Sequence, residues 1–367
     1  MHRILILIKG LGRGGAEQLL VNAAPYLNRT KFEYHVAYLL PWKDALVGEL
    51  EATGLPVHCL GGGRNVAWVP RLRRFARDHK IDLVHSHSPL AAAAVRLTLG
   101  WNRPRRVYTE HNVWERFHPA TYWLNLLTFP RSNNVFAVSD HVRASMRYPG
   151  PLRLMRMPPT ETLYHGPDPA SVGGWGRPDG VRDELGILPG APVVGTVANF
   201  KAHKDYPTFI RAAAIVAKRI PDVRFVLVGL GPLEKDIKRL AGRLGLNGTV
   251  VFAGYREDAP RVAGAFDVFV LSSLHEGLSI AAVEAMVQGV PAVVTDVGGL
   301  PEVVEHEHSG LIVPPKDPAA LARSIVRVLE DDADRKRMGE NARARGAEFD
   351  IRNSVRRMEQ VYEELLA

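Results

Sequence analysis

Residues 3–17 read RILILIKGLGRGGAE, an aliphatic run that empties into glycines and then into a helix-like pattern from Ala16 onward. A run that is apolar at every position, not every second one, belongs to a strand covered on both faces, as in a parallel sheet flanked by helices. Gly10, Gly12 and Gly15 form G-x-G-x-x-G, which bares backbone N–H groups where the next helix begins, a position that takes phosphate or carboxylate. Dinucleotide-binding folds carry an acid at the end of the second strand to hold the ribose. Here that strand ends Tyr38-Leu39-Leu40-Pro41 without one, which argues against a nicotinamide cofactor. An anion-binding loop and a plain tight turn both remain open.

The same alternation runs outward from this stretch. Strand patterns at 3–8, 34–40, 56–60, 83–85, 105–110, 134–138 and 152–157 alternate with amphipathic helical patterns at 16–26, 68–79, 89–99 and 140–147. Strands alternating with helices of this length predict a doubly wound parallel sheet. A poorly periodic segment follows, with six prolines from Pro149 to Pro169 and the run GGWGRPDG at 173–180. The alternation restarts at 192–198 and continues through strands at 224–229, 249–253, 268–271, 292–295 and 311–313, with helices at 206–219, 233–244, 280–288, 318–329, 333–347 and 351–366. The reading is α/β: a first Rossmann-like domain at 1–165, a linker at 166–190, a second at 191–349, and a helix at 350–367 returning to the first. Ligands of such sheets bind beyond the carboxyl ends of the strands, so a cleft between two facing domains is the expected site.

A chain of 367 residues exceeds the roughly 250–300 residues over which a single core grows, which agrees with two domains. One cysteine, Cys59, excludes an intrachain disulfide framework and a multi-cysteine metal cluster. The segment before Lys9 is too short for a secretory signal, and no apolar run spans a bilayer, which places the protein in the cytoplasm. Residues 1–165 hold 22 Lys and Arg against 11 Asp and Glu, whereas 166–367 hold 25 against 28. The basic first half points to an anionic partner or simply to a solubilising surface. Nucleic acid fits poorly, because paired stacking aromatics are missing and the second half is acidic.

The chemistry-bearing stretch is SSLHEGLSIAAVEAM at 272–286. Glu276 falls in the loop after a strand, and Glu284 lies over a turn into the following helix, for which Ser279 is the N-cap. Two carboxylates near a helix N-terminus suit a polyhydroxylated, phosphorylated ligand, since ionised carboxylates accept hydrogen bonds from pairs of hydroxyls. Glycine clusters at Gly229-Leu230-Gly231 and Gly298-Gly299 follow other strands of the same half.

Glu276 to Glu284 is an E-x7-E arrangement, and with GRGGAE, VHSH, TEH, NFKAHKD, VLVGLGPLE and GGLPE the chain resembles glycosyltransferase family 4. That resemblance implies two Rossmann-like domains of glycosyltransferase type B, and transfer of a sugar from a nucleotide-sugar donor with retention, without bound metal or other cofactor. It implies catalytic roles for His111, Lys204 and Glu276: His111 near the reacting sugar carbon, Lys204 neutralising the diphosphate, Glu276 on the sugar hydroxyls. Glu284 would bind the ribose, and Gly14, Gly15, Asn199, Gly229, Gly231, Gly277, Leu278 and Ser279 would complete the donor site. Arg13 and His87 are expected on the acceptor side. Two positions depart from the family: Asn199 stands where an arginine is frequent, and Met157-Pro158-Pro159-Thr160-Glu161 replaces an Asn-Gly-x-Asp element.

The function expected is therefore retaining, metal-independent hexosyl transfer to a carbohydrate or lipid-linked acceptor in the making of cell-surface glycans, glycolipids or related glycoconjugates. A non-catalytic sugar-nucleotide-binding partner in a glycan assembly complex, and a sugar-nucleotide epimerase of the same fold, are the alternatives. A metal site from His85, His87 and His111 lacks an acidic or thiol partner at a recognisable spacing. Basic segments at 70–80 and 101–108, with the aromatic stretch TYWLNLLTF at 121–129, suit peripheral docking on an anionic inner membrane face, although 121–129 reads more readily as an ordinary packing helix after His111.

Overall fold

The computed structural model describes residues 1–61, 67–100, 103–168, 172, 178 and 180–367. Two compact units emerge: Met1–His165 with Ile351–Ala367, and Gly166–Asp350. In the first, β1 (His2–Ile8), β2 (Phe32–Tyr38), β3 (Val57–Cys59), β4 (Leu83–Ser86), β5 (Arg105–Glu110), β6 (Asn134–Ala137) and β7 (Thr160–Thr162) form a parallel sheet in the order β3-β2-β1-β4-β5-β6-β7. Ile4 through Ile8 are all buried, as a strand covered on both faces requires. One face packs on helix Trp68–Asp78, which turns Trp68, Leu72, Phe75 and Ala76 inward.

Helix Ile351–Leu366 belongs to this first unit. Glu359 accepts from the Asn28 amide at 2.7 Å and the Tyr34 hydroxyl at 2.6 Å. Arg357 donates twice to Glu161, at 2.9 and 3.0 Å. Tyr362, fully buried, reaches His85 of β4.

The second unit contains β8 (Val193–Val197), β9 (Arg224–Val228), β10 (Val250–Gly254), β11 (Val268–Leu271), β12 (Ala292–Thr295) and β13 (Gly310–Val313), parallel in the order β10-β9-β8-β11-β12-β13. Helix Asp332–Ala347 carries two glycines where other residues would not fit. A Cβ on Gly339 would stand 2.4 Å from the Gly289 carbonyl oxygen, and one on Gly346 2.8 Å from the Val287 amide. These contacts clamp helix Ile280–Val287, which bears Glu284.

The α/β doubly wound class is what both sheets display. The segment expected as a strand at 152–157 is different: Gly150–Leu154 is a short 3₁₀ turn, and the edge strand starts only at Thr160. Pro151 favours the turn, and Pro158-Pro159 has no amide to donate, so the ladder opens where the Val135 amide meets the Pro159 carbonyl. Of the stretch 166–190, residues 173–177 and 179 of its glycine-rich run lie outside the described residues, whereas 180–190 packs on the second sheet. There Val181 is buried and Arg182 bonds Asp267 at 2.9 Å and the Ala265 and Ala191 carbonyls.

Candidate active site

Each sheet reverses its strand order once, between β1 and β4 in the first unit and between β8 and β11 in the second. The crevice beyond the carboxyl ends of the strands at such a reversal is where open α/β sheets take ligands.

In the second unit three loops leave the sheet at that point and are tied to one another. Ser272, after β11, donates its hydroxyl to the Lys204 and Asp205 carbonyls at 2.9 and 3.1 Å, and the Leu274 amide bonds the His203 carbonyl at 2.7 Å. From β12, the Thr295 hydroxyl bonds the Ser273 carbonyl at 2.6 Å, while the Gly299 amide reaches the Glu276 carbonyl at 3.3 Å. Gly298 has φ 58°, and a Cβ there would stand 1.9 Å from the Glu276 carbonyl oxygen, so glycine is obligatory on both counts.

This scaffold joins two of the expected residues. Lys204 Nζ lies 2.5 Å from Glu276 Oε1, and the Ser273 hydroxyl donates to the same oxygen at 2.6 Å. The lysine side chain is only 16% exposed and the glutamate 10%, so the pair is held in a largely desolvated loop cluster, where a charge interaction is stronger than in water. Ser279 caps helix Ile280–Val287 by accepting from the Ala282 amide at 3.3 Å. Glu284 is half-buried in that helix, and its carboxylate finds no partner among the described residues. Burial pushes it up to about 8. Gly277 and Leu278 lie half-buried between the pair and the cap. Gly229 and Gly231 serve the chain itself: Cβ atoms there would stand 2.2 Å from the Ala198 oxygen and 2.5 Å from the Phe200 oxygen, in the loop that carries Asn199. His203, beside Lys204, is held down at about 4, first by burial and then by the lysine's charge.

In the first unit the loop after β1 is fixed by the Leu11 amide to the Lys43 carbonyl at 2.7 Å, and Gly14 is the extended N-cap of helix Gly15–Ala23. Open space surrounds the position a Cβ would take on Gly15, and Arg13 is exposed beside it. Across the reversal, the His87 amide bonds the Leu7 carbonyl at 2.8 Å, and its ring Nδ1 lies 3.2 Å from His111 Nε2. His87 Nε2 is buried without a partner among the described residues, and His87 and His165 both line a cavity of about 30 Å³ with apolar walls from β1, helix Gly15–Ala23 and helix Ile351–Leu366. His85 is a core residue, 2.5 Å from the Tyr362 hydroxyl and 2.7 Å from that of Thr109. Burial holds His85 and His111 at about 3 and His165 at about 4, and keeps His87 well below the usual imidazole range, so all four are neutral at pH 7.

Sequence reasoning did not single out Glu110, next to His111. It accepts from the Tyr108 hydroxyl at 2.6 Å, Trp114 Nε1 at 3.0 Å and the Asn112 amide at 3.2 Å, and burial raises it to about 7 against those donors. The carboxylate thereby ties both sides of His111 to β5. Ser273, Tyr362 and His165 were missed as well, since their partners are distant in sequence or, for Ser273, fixed only by loop shape. No group of three or more His, Cys, Asp or Glu among the described residues is placed to hold a metal ion.

Known proteins resemble the chain in sequence and in fold. The "Glycosyltransferase Family 4" model matches residues 13–170, and the "Glycosyl transferases group 1" model matches 180–345. The alpha-D-kanosaminyltransferase of Streptomyces kanamyceticus is 28% identical over 295 residues, 76% of each chain. The lipopolysaccharide core biosynthesis glycosyltransferase LpsE of Rhizobium meliloti is 35% identical over 159 residues, 43% of this chain and 46% of its own. Among solved structures, Anabaena HepE in complex with UDP-glucose superposes with a TM-score of 0.85 at 25% identity, covering 99% of this chain and all of that one. The fold is that of the GT-B glycosyltransferases, two Rossmann-like units in one chain. The protein belongs to the glycosyltransferases of the family 4 type.

Proposed function

We propose that this glycosyltransferase takes its sugar from a nucleoside diphosphate sugar and transfers it with retention, without a metal ion or other cofactor. The observation that carries the reading is the loop-and-helix unit at 272–287, where a held lysine–carboxylate pair and an unpartnered, half-buried Glu284 flank one helix N-terminus. Largely protonated by burial, Glu284 can donate to one hydroxyl and accept from another, and hydroxyls that donate to it favour its ionised form, so the two vicinal hydroxyls of a ribose suit it. Lys204 supplies fixed positive charge where a departing diphosphate develops negative charge, the role a metal would otherwise fill. Glu276, oriented by Lys204 and Ser273, keeps its second oxygen for the sugar hydroxyls. In the reaction the anomeric carbon–phosphate oxygen bond breaks and a bond to an acceptor hydroxyl forms on the same face. The acceptor's proton leaves with the diphosphate.

The neutral His111, fixed by His87, and the exposed Arg13–Gly15 loop form the acceptor side in this reading. The acceptor proposed is a carbohydrate or lipid-linked sugar of a cell-surface glycan, a class consistent with the similarity to LpsE. UDP is the first nucleotide to try, because it is the one bound in HepE. Thermal shift with UDP and other nucleotides, followed by release of nucleoside diphosphate from matching sugar donors, tests the proposal. Stabilisation by a nucleotide that Glu284→Gln weakens, together with turnover, supports it. Tight nucleotide binding without turnover with any donor would leave a non-catalytic binding protein and sink the transferase reading.

A further inference from the structure

The first unit carries a second concave feature, away from the carboxyl ends of its strands. Helix Trp68–Asp78 and the chain at Ile81, Thr98–Gly100 and Pro104 border an open groove of about 510 Å³. Two stretches far apart in sequence meet here: Arg73, Arg74, Arg77 and Lys80 come from one, Arg103 from the other. The counter-charges are two carboxylates. Asp78 takes Arg74 and Arg77 at 3.4 and 3.1 Å, and Asp82 takes Arg103 at 3.2 Å. Arg73 and Lys80 have no ion pair among the described residues, so the groove keeps an excess of positive charge.

These cations do not converge as they would on one small anion. The side chains of Arg74, Arg77 and Arg103 are 78%, 76% and 63% exposed, the first two on the solvent face of a helix whose other face is core and the third just before β5. A planar field of phosphates fits that spread better than a single bound phosphate. Next to the groove the surface turns apolar. Leu97 stands one residue before Thr98 and is 51% exposed, on the same stripe of helix Pro89–Thr98 as the exposed Leu90. The neighbouring helix Pro119–Thr128, joined to it through Arg96 and Asn125, leaves Trp123 and Leu127 exposed one turn apart. That helix is therefore only half a packing helix: Asn125, Leu126 and Thr128 face the core, whereas Trp123 and Leu127 do not. Cations beside exposed Trp and Leu side chains are what an interfacial protein presents to a bilayer.

We propose that this face of the first unit docks on an anionic lipid bilayer, the groove cations meeting the headgroups and Leu97, Trp123 and Leu127 entering the headgroup–acyl boundary. Docking of this kind is electrostatic first and weakens as salt screens it. It is independent of the donor reading, because no residue of the second unit takes part.

The test is flotation of the full chain with phosphatidylcholine vesicles and with vesicles of phosphatidylcholine and phosphatidylglycerol. The protein should float only with the second kind, less so as sodium chloride rises. A double charge reversal, Arg73→Glu with Lys80→Glu, should lower the bound fraction roughly tenfold or more. Leu97→Ser with Leu127→Ser should leave the salt dependence in place but weaken binding. Unchanged melting by circular dichroism in both variants separates docking from folding. Equal flotation with neutral vesicles, or full flotation of the charge-reversed protein, would overturn the proposal. So would retention on heparin without vesicle binding, which would make the groove a site for a soluble polyanion.

Discussion

The two sheets reverse their strand order in the same way, yet the groups set at the two reversals differ in kind. In the first unit they are imidazoles and hydroxyls kept neutral by burial: His111 against His87, and His85 between Tyr362 and Thr109. In the second they are a charged pair, Lys204 against Glu276, beside Glu284, which burial keeps largely protonated at pH 7 and which has no partner among the described residues. One scaffold thus supports two electrostatic regimes, because the sheet fixes only where the loops leave and the loops fix the chemistry. A neutral cluster exchanges hydrogen bonds without moving charge, which suits an uncharged hydroxyl. A fixed ammonium suits phosphate.

The most severe way to break the second regime is Lys204→Ala. Sugar transfer should fall by about 10²–10³-fold, as for loss of a single charge-stabilising donor, and a steady-state assay of nucleoside diphosphate release reads it. Retained activity would mean that the lysine serves only to hold Glu276. In the first unit, Tyr362→Phe removes the hydroxyl that meets His85 Nδ1, leaving a buried nitrogen unpaired at a cost of about 2 kcal/mol in urea unfolding.

Acid and base sharpen the contrast further. The four buried histidines titrate near 3 to 4, or for His87 well below 6.5, in the folded chain and near 6.5 when free, so the stability they contribute is complete above 6.5 and is lost as pH falls toward 3. Glu284 has the opposite sign. Its folded value of about 8 lies above its ordinary 4.5, so its contribution is complete below 4.5 and is lost as pH rises to about 8. Melting temperatures of Glu284→Gln should decline less over that interval than those of the parent. Glu110, raised to about 7, continues to act in both proteins. Parallel curves would show that Glu284 is solvated after all. The smallest effect is Ser279→Ala, about 1 kcal/mol for a lost N-cap, measured by the same urea titration.

Much of the fold was legible because it is written locally. The aliphatic run before Gly10, the alternation of strands and helices, and the cap at Ser279 are all read from neighbours in sequence, and the structure shows each. The stretch 152–157 misled because its apolar side chains resemble a strand while the prolines around it withhold the amides a ladder needs; Leu154 is 94% exposed. In the site, Lys204 and Glu276 were legible as residue types in a familiar spacing, but their 2.5 Å contact was not. It depends on Ser272 and Thr295 tying loops from β11 and β12 to the loop after β8. His87 shows the same limit. Sequence puts it at a strand end, whereas only packing shows one ring nitrogen on His111 and the other sealed in the cavity wall.

The placement of helix Ile351–Leu366 in the first unit bears on how the protein is made. Residues 166–350 are a continuous segment and can fold as soon as the ribosome has released them. The first unit, although translated earlier, lacks the partners of Tyr34, His85 and Glu161 until residues 351–366 follow. The order of synthesis and the order of completion are therefore reversed. A frameshift beyond residue 350 would spare the second sheet and leave the first with an open flank, a natural foothold for chaperones and proteases.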